Sequence, residues 1–267
     1  CRAVPRRSGR VFGQHLRGLC KLGMQSALVT SVSNDAVGRF CTNRLRHYGV
    51  ETRYVKVIDG EYRVSLAVYE STLEDFQLCI YRNNAVDFQV TDDDVDRVDY
   101  AAFGALITAG TVFAAEPSRS STFRAFANAR RAGLPVIFDI DYRPYSWPSA
   151  AVASDVLARA GEESDVVVGN DEEFGFMAGG SDKGLGMARD LAARGKLVIY
   201  KMGQQGAITF AGSEEIGTGI YPVSAVKPNG AGDSFMAGLL AAIAEGRQLK
   251  EAVLRGSACA SIRSAQR

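Results

Sequence analysis

Neither sign of charge dominates this chain of 267 residues: 31 Lys and Arg face 30 Asp and Glu, a formal net charge of +1. That balance leaves no electrostatic footprint for nucleic acid or an anionic membrane surface. A long apolar run is also missing. The longest, Phe235 to Ala244, is about half of the ~20 residues a membrane-crossing helix needs. Cys1, Cys20, Cys41, Cys79 and Cys259 are odd in number, scattered and without C-x-x-C spacing. They argue against a disulfide framework and a zinc site, and they fit a reducing cytoplasm. No internal repeat or low-complexity linker appears, so no second independent domain is expected. Acids are lacking before Asp35, a stretch that carries five arginines and begins with Cys1 rather than Met. Such a start can be an organelle transit peptide; the simpler expectation is a fragment or a displaced start. Residues 1–20 are set apart as anomalous and given no chemistry.

What remains is ordinary in bulk, with 46% apolar and 23% charged residues, enough to bury a substantial core. From Ser26 two periods alternate. SALVTSV reads as a strand, and Val37, Phe40, Cys41, Leu45 and Tyr48 recur at helical spacing. Three β-rich runs follow, at 53–58, 62–70 and 76–82, the first two joined by Asp59-Gly60, a hairpin signal. They predict a small separate sheet within about 52–88, the alternative being an excursion on the main sheet. Strands are then expected at 105–110, 135–141, 165–170, 196–203 and 206–210. Helices are expected at 119–132, 149–160, 171–177 and 183–194. This alternation predicts an α/β fold, a mainly parallel sheet flanked by helices on both faces. In such sheets ligands bind at the carboxyl ends of the strands.

Four motifs stand at or near those ends. In FDIDYRPYSW, Asp139, Asp141 and Arg143 follow a strand, and a guanidinium there can clamp a carboxylate or phosphate, or simply brace a loop with an acid. In NDEEF, Asn170 and Glu173 lie one helical turn apart. They offer hard oxygen donors suited to a hydrated Mg²⁺, or they form a helix cap. In KMGQQG, Lys201, Gly203 and Gly206 make either a plain turn or a backbone that a nucleotide can approach closely. In KPNGAGDSF, Gly230, Ala231, Gly232 and Asp233 precede an apolar helix. Either Asp233 is an N-cap, or the turn presents N–H groups to a phosphate with an acid beside it.

The order D-x-D-x-R-x-x-x-W, N-x-x-E, K-x-G-x-x-G, G-A-G-D-S-F resembles the ribokinase-like (PfkB-type) carbohydrate kinases from about Lys21 to Ile262. FDIDYRPYSW, CIYRNNAVD, SDVVVGNDEEF and GSACASI look most like the 5-dehydro-2-deoxygluconokinases of inositol catabolism. The resemblance implies a three-layer ribokinase-like domain over 21–267 with a small β lid. It also implies a cytoplasmic enzyme using ATP and Mg²⁺ to phosphorylate a sugar acid, 5-dehydro-2-deoxy-D-gluconate, to its 6-phosphate. Ketodeoxygluconate, fructose or ribose as acceptor, or an inactive ligand-binding homologue, are the alternatives. Asp233 would be the base and Gly230, Ala231 and Gly232 the anion hole. Asn170 and Glu173 would serve phosphates and Mg²⁺, and Lys201, Gly203 and Gly206 would border the nucleotide. Arg82, ending a lid strand, and Arg143 would converge on the acceptor's carboxylate, unless Asp87 and Asp141 claim them. A small-molecule sugar acid and ATP are the expected partners, with no nucleic acid or membrane and with room for a homo-oligomer. The chain departs from the family in lacking its first strand and Gly-Gly loop, and in stopping short of its C-terminal segment. It also carries Lys227-Pro228 where an Asp-Thr pair is usual; the Lys227 ammonium would there stand in for a monovalent cation, or point to solvent.

Overall fold

The computed structural model describes residues 11–69, 78–224 and 230–265. In chain order it begins with α1 (Val11–Lys21), β1 (Thr30–Ser33), α2 (Ala36–His47) and β2 (Val55–Ile58). Next come β3 (Leu66–Tyr69), β4 (Leu78–Tyr81), α3 (Asp92–Asp96), β5 (Leu106–Ala109) and α4 (Ser118–Arg131). The middle holds β6 (Val136–Asp139), α5 (Ala150–Glu162), β7 (Val166–Asn170), α6 (Asp171–Met177), α7 (Gly184–Ala193) and β8 (Leu197–Lys201). The last elements are β9 (Ala207–Ala211), β10 (Glu214–Thr218), α8 (Ala231–Ala244) and α9 (Leu249–Ala265). Helix starts are chemically marked. Asp35 accepts from the N–H groups of Val37 and Gly38 at α2, and Ser149 caps α5. Each such cap is worth about 1 kcal/mol.

Six strands form the main sheet in the order β10-β9-β8-β7-β6-β5. The four from β5 to β8 are parallel, while β9 and β10 turn back antiparallel. The period-two geometry of strands sorts their side chains into two cores. Phe138, Val167 and Val198 join Phe113, Phe126, Leu157 and Phe174 on one face. Ile137, Val168 and Ile199 join Leu16, Leu19, Met236 and Leu239 on the other. The first face is covered from α4 to α7, the second by α1, α8 and α9. Helix α8 is apolar nearly all round because it is buried between the sheet and the flanking α1 and α9. At Gly18 a Cβ would lie only 2.5 Å from Ala237 Cβ, so a glycine there lets α1 and α8 approach closely.

The reading of 53–82 as one small sheet needs correction. β2 pairs in parallel with β1, and β3 pairs antiparallel with β4 as a separate two-stranded sheet. Asp59-Gly60 therefore does not close a hairpin between 53–58 and 62–70. Asp59 instead accepts a hydrogen bond from the side-chain amide of Asn34 at 2.7 Å, fastening the end of β2 to the end of β1. Strand β10, whose Glu-rich start hides its pattern, was not expected from the sequence. Residues 70–77, inside the expected lid, and Lys227, with its proposed stand-in for a cation, lie outside the described residues.

Candidate functional site

Parallel pairing brings the carboxyl ends of β6, β7 and β8 to one edge. Asn170 is the register partner of Lys201, and Asp139 ends β6 one strand away. The first turn of α8 arrives at the same place. Its N-cap is Gly230, left-handed at φ +81°, where a side chain would be strained. Asp233 is therefore not the N-cap. It sits in the first helical turn, buried to 9% exposure, and the first intrahelical bond at this end runs from Ser234 N–H to Gly230 C=O at 3.0 Å. The N–H groups before Ser234 have no carbonyl of their own helix to bond, the usual state of a helix start and a fit for phosphate oxygens. Lys201 Nζ lies 5.6 Å over the Phe235 ring, beside this turn.

Acids crowd the edge. Asp139, Asp141, Glu173 and Asp233 are all buried. Asp141, at φ +34°, has Oδ1 2.5 Å from Arg143 Nη2. Burial pushes its carboxyl up to about 7 despite the Arg143 charge, with Asp139, Glu173 and Asp233 adding to the rise. Burial likewise raises Glu173, against the charge of Lys201. The surprise is His15. Its Nε2 lies 3.0 Å from Asp233 Oδ1 and 3.4 Å from Asp139 Oδ2, and the residue is 1% exposed. Burial alone would lower the imidazole, but the contact with Asp233 and the charges of Asp139 and Asp141 carry it above its ordinary value. Setting residues 1–20 aside missed this group. The available signal was the stripe Leu16, Leu19 and Cys20, which runs at helical spacing into Leu22-Gly23.

Asn170 and Glu173 form a reciprocal cap: each side chain accepts from the other's backbone N–H at 2.8 Å. That bonds one Glu173 oxygen and leaves Oε1, which lies 3.9 Å from Arg143 Nη1. Among the described residues no group of three His, Cys, Asp or Glu side chains could cage a metal ion. A hard oxygen donor such as Glu173 Oε1 suits a Mg²⁺ carried mostly by water and phosphate. The Gly203 and Gly206 segment is a tight β8–β9 turn, closed by Met202 N–H to Gly206 C=O at 2.8 Å. A Cβ at Gly206 would strike Thr218 O at 2.0 Å, whereas one at Gly203 would meet nothing within 4 Å.

Arg82 lies just past β4 and is tied to the core. Its Nη2 donates to Asp87 Oδ2 at 2.8 Å and to Thr111 C=O at 3.1 Å, and its Nη1 donates to Ser146 Oγ at 3.3 Å. The guanidinium stands 4.2 Å over the Phe88 ring. Ser146 closes the turn that follows Arg143, so both arginines border that turn. Each, however, already faces a carboxylate, the arrangement in which nearby acids claim them.

Comparison with known proteins adds the following. The pfkB family of carbohydrate kinases matches the chain over residues 15–267, a span that begins at His15. The 5-dehydro-2-deoxygluconokinase of Geobacillus kaustophilus is 34% identical over 256 residues, 92% of this chain and 75% of that protein. That of Photobacterium profundum is 34% identical over 250 residues, 91% of this chain and 76% of its own. Among solved structures, the fructokinase of Vibrio cholerae bound to fructose, ADP and calcium superposes with a TM-score of 0.84 at 24% identity, covering 97% of this chain and 85% of that one. The aminoimidazole riboside kinase of Salmonella enterica, with aminoimidazole riboside and an ATP analogue, gives 0.83 at 20% identity over 97% and 86%.

Proposed function

Because the chain belongs to the pfkB family of carbohydrate kinases, and so is an ATP-dependent sugar kinase, we propose that it phosphorylates the 6-hydroxyl of 5-dehydro-2-deoxy-D-gluconate. In this reading residues 21–267 are one cytoplasmic kinase domain and the β3–β4 sheet within about 52–88 is its lid; the family match from His15 extends the domain back into α1. Asp233 takes the proton of the hydroxyl. The N–H groups of Ala231, Gly232 and Asp233, freed for a ligand by the turn at Gly230, receive the phosphoryl oxygens as charge spreads over them. Phosphoryl transfer asks mainly for positioning and charge stabilisation, so fixed donors at a helix start suit it. Lys201 and the Gly203 turn border the nucleotide. Asn170 and Glu173 hold, largely through water, a Mg²⁺ whose bound role is to neutralise phosphate charge.

One observation carries the reaction: a buried acid in the first turn of α8, beside Lys201 and at the carboxyl edge of β6 to β8. Asp233→Asn is expected to lower kcat by about 10² to 10⁴, the usual worth of a general base, while ADP binding by calorimetry survives. A variant retaining more than half of the wild-type kcat would remove Asp233 from this role.

The acceptor rests on the names of the similar kinases and on Arg82 and Arg143 bordering one turn. A sugar carboxylate would share or displace Asp87 and Asp141, and a site built for it would penalise a neutral sugar. The existing Arg82–Asp87 and Arg143–Asp141 pairs favour a second reading, a neutral acceptor such as fructose. Kinase assays over 5-dehydro-2-deoxygluconate, ketodeoxygluconate, fructose and ribose separate the two. The first is expected to give the highest kcat/KM, and an equal value for fructose would overturn the sugar-acid assignment.

A further inference from the structure

His15 comes from the opposite end of the chain to Asp233, yet α1 delivers it to the one carboxylate the proposed chemistry depends on. The contact is specific to one nitrogen: Nε2 reaches Asp233 Oδ1 at 3.0 Å and Asp139 Oδ2 at 3.4 Å. The docking that places it is extensive, since Leu16 and Leu19 lie in the same apolar core as Phe235, Met236 and Leu239. We infer that His15 is a positioning residue for the base: as an imidazolium it holds Asp233 Oδ1 and offsets the surrounding carboxylates, leaving Oδ2 to accept the substrate proton. The inference rests on the assignment of Asp233 as the base.

The charge environment gives the reason such a cation is needed. Facing His15 are Asp233 from α8, Asp139 from β6 and Asp141 from the turn after β6. Behind them stand Glu173 from α6 and Arg143, with Lys201 from β8 beside Glu173. Arg143 is engaged with Asp141, and Lys201 lies over the Phe235 ring. Buried carboxylates this close disfavour one another's ionised forms. Their effect is visible at Asp141, which burial and its acidic neighbours push up to about 7 even with a guanidinium in contact. His15 places a cation between Asp139 and Asp233, within 3.4 Å and 3.0 Å of them. His15 is held in its charged form by the carboxylates it serves, so its titration moves above the ordinary histidine value.

The chain has two histidines, His15 and an exposed His47, so imidazole resonances are assigned by deleting one of them. In the intact protein His15 is expected to titrate above ~6.5, the ordinary value, and in Asp233→Asn its titration should fall. A His15 titration unchanged by Asp233→Asn would overturn the pairing, whatever the enzyme's activity. The second arm is kinetic. His15→Gln keeps a donor but cannot charge, and it should move the acid limb of kcat/KM upward by about one pH unit, the low end of what an adjacent opposite charge supplies. That is about a tenfold loss at a pH below both limbs, with the KM for ATP unchanged. Added imidazole should return the limb of His15→Ala towards wild type. If Asp233→Asn is inactive but His15→Gln leaves the limb in place, the positioning role fails while the base stands. If Asp233→Asn stays active, the base assignment fails, and with it the inference.

Discussion

At the scale of single residues, the acidic edge carries a stability signature that is separate from catalysis. Asp141 is raised from 3.8 to about 7, chiefly by burial. Between those values the folded chain keeps a proton that the unfolded chain has released. Stability therefore falls as pH rises from about 4 towards 7 and levels off above. His15 acts in the same direction: its raised value gives a contribution fully present below the ordinary histidine value and lost as pH climbs through the folded one. The melting temperature is thus expected to drop between pH 5 and pH 8. Asp141→Asn, which can still accept from Arg143, should flatten that slope below pH 7. A variant with the wild-type slope would show that the buried Asp141 proton is not its source. These groups were half legible in the sequence. FDIDYR placed two acids and a cation at a strand end, but the depth of burial that moves Asp141 is set by the packing around it.

At the scale of elements, α8 ties the core to the proposed site. Its apolar body packs in the core, and its first turn lies at the carboxyl edge of the sheet beside Lys201 and Asp139. Helix α1 depends on α8 in turn, and the contact is tight at Gly18, where an added Cβ would come within 2.5 Å of Ala237 Cβ. Gly18→Val should therefore cost about 1–3 kcal/mol through overpacking, read as a lowered midpoint in urea unfolding. An unchanged midpoint would mean that α1 does not dock on α8 as described. The elements also show where local signals mislead. Asp59-Gly60 has the composition of a hairpin turn, yet Val55–Ile58 finds its partner in Thr30–Ser33. Turn chemistry permits a reversal; which strand lies alongside is decided by what else the chain brings near.

At the scale of the whole molecule, the division between the two cores follows from alternation along three strands. Ile137 and Phe138, Val167 and Val168, and Val198 and Ile199 face opposite ways. That alternation requires helices on both faces, and the chain supplies them. The separate β3–β4 sheet is linked to the body through Arg82, whose guanidinium reaches Ser146 and Thr111 on core loops. If Arg82 and Arg143 select the acceptor as proposed, that choice belongs to this scale, because the two arginines border one turn only when both parts are in place. No helix among the described residues is long and apolar enough to cross a membrane, in keeping with the shortness of every apolar run in the sequence.

The sequence by itself determined the alternation of strands and helices, the edge at which ligands are expected, and the order of motifs that marks a carbohydrate kinase. Those features are written in local periods and in short spacings, which a linear reading recovers. Asn170, Lys201 and Asp233 could be placed at that edge because strand ends and helix starts carry their own composition. Only the tertiary structure decided that Asp233 lies in the first turn rather than at the cap, that β2 joins β1, and that Asp87 and Asp141 engage the two arginines. It alone brought His15 to Asp233. The β1–β2 pairing and the His15 contact join segments far apart in the chain, while the cap and the arginine pairs are local choices made by burial and charge at close range; neither kind leaves a period in the sequence.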